Sequence, residues 1–168
     1  MKIIVSGFGN DKPGIVKQIS KIISDASGNI EESRMVRLGS DFTIMMLIDI
    51  HNDKDRVVDG LEGVEGMKFI IKDSSDDIDY SAPNATISLS GADNIGIVHL
   101  VSDKLAKNNI NILEMNTDIV NMPNTGTPIF NMEARVVIDK ETDLEELRID
   151  LDRDSDEFDV EIELAMDH

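Results

Sequence analysis

GNDKPGIVKQISKIISDASGNI, Gly9 to Ile30, returns 82 positions later as GADNIGIVHLVSDKLAKNNINI, Gly91 to Ile112. The offset holds without a gap: Asp11 matches Asp93, Gly14 matches Gly96, Ile15 and Val16 match Ile97 and Val98, Asn29 matches Asn111, and Glu32 matches Glu114. So long a period means two copies of one small domain, not a solenoid of short units. Each copy reads as a strand, an Asp-x-x-Gly turn, a helix, and an Asn that opens the next strand. Packing accounts for the repeated apolar residues. It does not account for the repeated Asp, Gly and Asn, which become candidate binding residues.

Working outward, Ile3 to Phe8 is a short apolar run that reads as a buried strand. Asp11 is placed to cap the helix that follows, and Pro13 suits its first turn, where a missing N–H costs nothing. Ile15, Val16, Ile19, Ile22, Ile23 and Ala26 form one helical stripe, with Gly28 expected to end it. Strands are expected over 29–38 and 42–50, joined by Gly39-Ser40-Asp41, with Phe42, Ile44, Met46, Ile48 and Ile50 on one face. A helix over 53–61 and a strand over 67–72 complete a β-α-β-β-α-β unit. The second copy is expected as strand 85–90, helix 94–108, strands 110–121 and 129–138, helix 142–151 and strand 158–164. Phe42 now matches Phe130, so six residues have entered the hairpin loop NMPNTGTP, Asn121 to Pro128, where insertions are cheap. The expected domains are 1–73 and 84–168, separated by the acidic, Ser-rich linker 74–83. The fold class is α+β, two ferredoxin-like units, each an antiparallel four-stranded sheet with its helices on one face.

Net charge is −18. Such a field repels phosphate backbones and anionic membranes, and with no Trp and one Tyr there is little to stack on bases. No nucleic-acid or membrane partner is therefore expected. The chain has no Cys, hence no disulfide and no thiolate nucleophile. Met1 leads directly into an apolar strand without a signal-peptide pattern, and no run approaches the roughly 18 apolar residues of a membrane span. The expected location is cytoplasmic. A single 80-residue unit buries a modest core and leaves strand edges open, so a homodimer built on edges and helix faces is expected.

Other constellations are weaker. Asp150, Asp152, Asp154, Asp156 and Glu161 fall at positions 1, 3, 5, 7 and 12 of a calcium-loop pattern, but Ser155 stands where the sharp turn needs Gly. A solvated acidic surface explains them better, and no metal is assigned. Gly7-Phe8-Gly9 lacks the third Gly of a dinucleotide loop. His51, His99 and His168 are scattered, and no nucleophile has triad-like company, so no catalytic residue and no cofactor is assigned and the chain is read as non-enzymatic.

DKPGIV (Asp11–Val16), an amphipathic helix and GNI (Gly28–Ile30) together resemble the ACT domain, a small ligand-binding module of amino-acid metabolism. GNIEESRMVRLGSDFTIMMLI (Gly28–Ile48) is similar to the first domain of tandem-ACT regulators related to the glycine cleavage system transcriptional repressor. The resemblance implies an amino-acid effector at an interface between domains, touching the turn after the first strand and the residue that opens the second. Carried onto this chain, those positions are Gly9, Asp11, Lys12, Gly14, Ile15 and Asn29, and in the second copy Gly91, Asp93, Asn94, Gly96 and Asn111. A carboxylate at Asp11 suits the effector's ammonium, and the helix end suits its carboxylate. The implied effector is a small amino acid such as glycine or serine. The implied output passes through a protein partner: a DNA-binding activator in the repressor reading, or an amino-acid biosynthetic enzyme if the chain is instead its regulatory subunit.

Overall fold

In a computed structural model the described residues are 1–51, 53–74, 83–92 and 96–167. The chain divides into two compact units, residues 1–79 and 80–168. The first runs β1 (Lys2–Asn10), α1 (Ile15–Asp25), β2 (Gly28–Leu38), β3 (Asp41–Ile50), α2 (Lys54–Glu62) and β4 (Met67–Asp73). The second repeats the order as β5 (Ala85–Gly91), α3 (Ile97–Lys107), β6 (Asn111–Asn121), β7 (Pro128–Val137), α4 (Leu144–Phe158) and β8 (Val160–Met166). Most of the expected linker lies outside the described residues. Ser74, at its start, donates its N–H to the Lys2 carbonyl at 2.9 Å and so still belongs to the first sheet.

The sheets have the order β2-β3-β1-β4 and β6-β7-β5-β8, all neighbours antiparallel. This is the expected α+β architecture. Alternation decides which side is buried. In β3, Phe42, Ile44, Met46, Ile48 and Ile50 are all buried, and they share one core with Ile15, Ile19 and Ile23 of α1 and Val57 and Leu61 of α2. The second core repeats this with Phe130, Met132, Ala134 and Val136 of β7 against Ile97, Val101 and Leu105. Both helices of each unit thus cover one sheet face and leave the other bare.

Local expectations at the helix ends needed correction. Asp11 does not cap α1. Gly14 is the cap residue, left-handed at φ 89°, and no side chain bonds the helix end. Pro13 lies in the turn before the helix. At the other end Ser27, φ 57°, takes the left-handed position expected of Gly28, and Gly28 instead opens β2. The equivalent position in the second copy is Asn109, φ 55°. The second copy's first helix begins at Ile97, and Asp93 and Asn94 lie outside the described residues. Helix α4 runs seven residues past the expected end, to Phe158, with Asp143 as its cap accepting from the N–H groups of Glu145 and Glu146 at 3.0 Å. Its continuation places Asp150 to Asp156 on helical backbone, so the calcium-loop pattern has no loop.

Candidate functional site

The turn between β1 and α1 is built by backbone constraints. At Gly9 an added Cβ would stand 2.0 Å from the Gly66 carbonyl oxygen, because the start of β4 crosses there. Gly91 meets Val160 in the same way, at 2.7 Å. These two glycines are therefore required by strand packing. Gly14 and Gly96 are different. Both have φ 89°, and an added Cβ at either would touch nothing within 4 Å. Each opens a helix toward solvent.

Around Gly14 the first copy gathers charge. The Asp11 N–H donates to the Ser40 carbonyl at 3.1 Å, which ties the turn to the tip of the β2–β3 hairpin. Its carboxylate pairs with Arg37 at 3.5 Å. The Lys12 ammonium lies beside Gly66. Ile15 is buried and contributes only backbone; its N–H already donates to the Lys12 carbonyl at 3.2 Å. The helix N–H groups left for an anion are those of Val16 and Lys17, before Gln18 bonds back to Gly14. Arg37 was not singled out from the sequence. The hairpin register would have found it: Arg37 faces Phe42, and Phe42 faces Gly9.

Asn29 is not at this turn. It faces Asp49, which faces Lys2, at the opposite end of the sheet. From the Lys2 rung to the Gly9 rung is about 23 Å at a strand's rise per residue. The cause is topological: α1 runs back antiparallel to β1, so β2 starts where β1 starts. Asn111, facing Val137, stands in the same place in the second sheet. Within one unit, therefore, Asp11, Lys12, Gly14 and Arg37 come together, while Asn29 does not join them.

The second copy differs at its turn. Ile119 replaces Arg37 opposite Phe130. Beside Gly91 lies a concavity of about 870 Å³, walled by the inserted hairpin residues Met122 and Pro123 and by Asp156, Asp159 and Glu161. Three carboxylates there favour a cationic group and disfavour an anion. Among the described residues no cluster of His, Cys, Asp or Glu could hold a metal ion. Nor, among them, is any helix long and apolar enough to cross a membrane.

Residues 2–64 match the model of the ACT domain. The glycine cleavage system transcriptional repressor of Escherichia coli (strain K12) is 41% identical over 46 residues, which is 27% of this chain and 24% of the repressor. The match thus spans about a quarter of that curated relative. A crystal structure of a protein described only as unknown, from Galdieria sulphuraria, is 30% identical with a TM-score of 0.86, over 98% of this chain and 97% of that one. Another, of a protein provisionally assigned as a glycine cleavage system transcriptional repressor, has a TM-score of 0.64 at 19% identity, over 98% and 95% of the two chains. The latter likeness is one of fold.

Proposed function

We propose, from the match of residues 2–64 to the ACT domain, that this chain is a non-enzymatic regulator that binds a small amino acid and acts through a protein partner, as in repression of the glycine cleavage type. The observation that carries the reading is the open, left-handed glycine before an uncapped helix, kept in both copies at one offset. A left-handed glycine also serves purely structural turns, but an uncapped helix end kept in both copies leaves N–H groups that suit an anion. The first copy is the effector site. The ligand's carboxylate lies against the Val16 and Lys17 N–H groups and Arg37, and its ammonium against Asp11. Asn29 comes to such a site from a second copy of the chain, since its own turn is out of reach.

Calorimetric titration with glycine, serine and the other proteinogenic amino acids tests this. Binding of one small amino acid is expected, weakened at least about tenfold by Asp11→Ala or Arg37→Ala, each of which removes a charge-assisted contact of about 1.5–3 kcal/mol. Substitution of Gly14 is a poorer probe, because its positive φ penalises any side chain whether or not a ligand binds. If no amino acid binds, the turns are structural and the reading fails.

A further inference from the structure

The two bare sheet faces are dressed in opposite ways. In the first unit the side facing away from the helices carries Ile4 and Phe8 of β1, Met45 and Leu47 of β3, and Ile70 of β4, with Val36 and Leu38 on the adjoining β2. Phe8 is 49% exposed, Met45 54% and Ile70 66%. In the second unit the matching positions are Thr86 and Ser90 for Ile4 and Phe8, Glu133 for Met45, and Glu163 for Ile70. One fold thus tolerates a polar coat on this face, so the apolar coat of the first unit is not demanded by folding. Exposed apolar patches of this kind mark association surfaces.

We propose that the uncovered face of the first sheet is a self-association surface, packed against the same face of a second copy of this chain. Charge favours a copy of itself over the alternatives. The chain carries −18, and the second unit's face, with Glu133, Glu161 and Glu163, would repel its like. The first unit's face carries Lys2, Arg34, Lys68 and Lys72 against Glu31, Glu32, Asp41 and Asp49, a balance of charge that includes the ion pairs Lys2–Glu31 at 2.7 Å and Arg34–Glu32 at 3.1 Å. Two such faces meet without net repulsion, their apolar centres opposed and their ion pairs at the margin. The area suffices. Four strands about 4.8 Å apart and some five side-chain rows long cover about 500 Å² per copy, hence about 1,000 Å² in all, the lower bound for a specific interface. Aligned packing of two twisted sheets about 10 Å apart is the geometry such a contact takes. The contact uses neither the strand edges nor the turn at Gly14, so it stands apart from the effector reading.

Sedimentation velocity on the full chain over a concentration series tests the proposal. The wild type is expected at twice the 18.6 kDa chain mass. Met45→Glu inserts a charge on the central strand β3 of the face and Ile70→Glu one on its edge strand β4, and each is expected to raise the dimer dissociation constant at least about tenfold. Both side chains are exposed, so circular dichroism and the thermal midpoint should stay near wild type. Glu133→Lys, at the position matching Met45 in the second unit, is expected to leave the dimer intact. A monomeric wild type at all concentrations overturns the proposal and leaves the face to a different partner. A dimer that survives both substitutions, folded, also overturns it, because association then runs through edges or helices.

Discussion

Gly9 and Gly14 stand five residues apart in one turn and are glycine for unrelated reasons. At Gly9 the obstacle is another backbone, 2.0 Å from where a Cβ would lie, and a backbone oxygen in a paired strand cannot step aside. At Gly14 there is space, and only the positive φ resists a side chain. Gly9→Ala is therefore expected to destabilise by about 2–3 kcal/mol, as overpacking does. Gly14→Ala should cost about 1 kcal/mol, the penalty of a left-handed alanine. Urea unfolding of the two variants separates them, and equal midpoints would refute the distinction. Only half of this was legible in the chain. The repeat marked both glycines as constrained, but the cause at Gly9 lies in Gly66 and Met67, more than fifty residues away, and the cause at Gly14 in its own backbone angle. Asp11 is a similar case: its type fits a helix cap, yet the left-handed Gly14 turns the chain so that its carboxylate meets Arg37 instead.

Between the helices, the two units solve one contact with opposite chemistry. In the first, Ile22 of α1 packs against Gly60 of α2, so tightly that a Cβ at Gly60 would lie 2.5 Å from the Ile22 side chain. In the second, Lys104 of α3 stands at the Ile22 position and reaches Asp154 at 3.4 Å and Asp150 at 3.6 Å on α4. Asp154 is 4% exposed, and its Oδ2 is held by charge attraction without a directed hydrogen bond. Lys104→Ala is expected to destabilise by about 3 kcal/mol, because it leaves a buried carboxylate unpaired. The joint change Lys104→Met with Asp154→Leu should cost far less, since an apolar pair needs no desolvation of charge. Thermal unfolding of single and double variants gives the coupling, and additive losses would contradict this account. Strand and helix identities were readable from period and alternation. The length of α4 was not, since its acidic second half looks like a solvated loop until Leu147, Leu151 and Asp154 are seen on one buried stripe.

For the whole molecule, net charge is the governing quantity. At −18 the native chain repels itself, and compaction brings like charges closer. Raising KCl from 0.05 to about 0.5 M, which shortens the Debye length several-fold, should raise the melting temperature. A melting temperature that falls, in the absence of aggregation, would show that attractive pairs such as Lys104–Asp154 outweigh the repulsion. The same field predicts no direct DNA binding at physiological salt, and a specific gel shift by partner-free protein would overturn that. On the proposed reading, repression of the glycine cleavage type would require a second protein on the DNA.

By itself the chain determined its duplicated architecture, its cores and its turn positions, because apolar period, glycine placement and an ungapped offset are local properties that survive reading one residue at a time. It also named most of the residues at the β1–α1 turn. What the tertiary structure decided was which of them meet. The crossover of α1 sends β2 back to the start of β1, so Asn29 leaves the turn and Arg37 arrives beside it. The same register put Ile4, Phe8, Met45 and Ile70 on one uncovered face. Neighbours across a sheet are set by strand order and register, and these depend on how distant segments pack together, which no stretch of sequence carries alone.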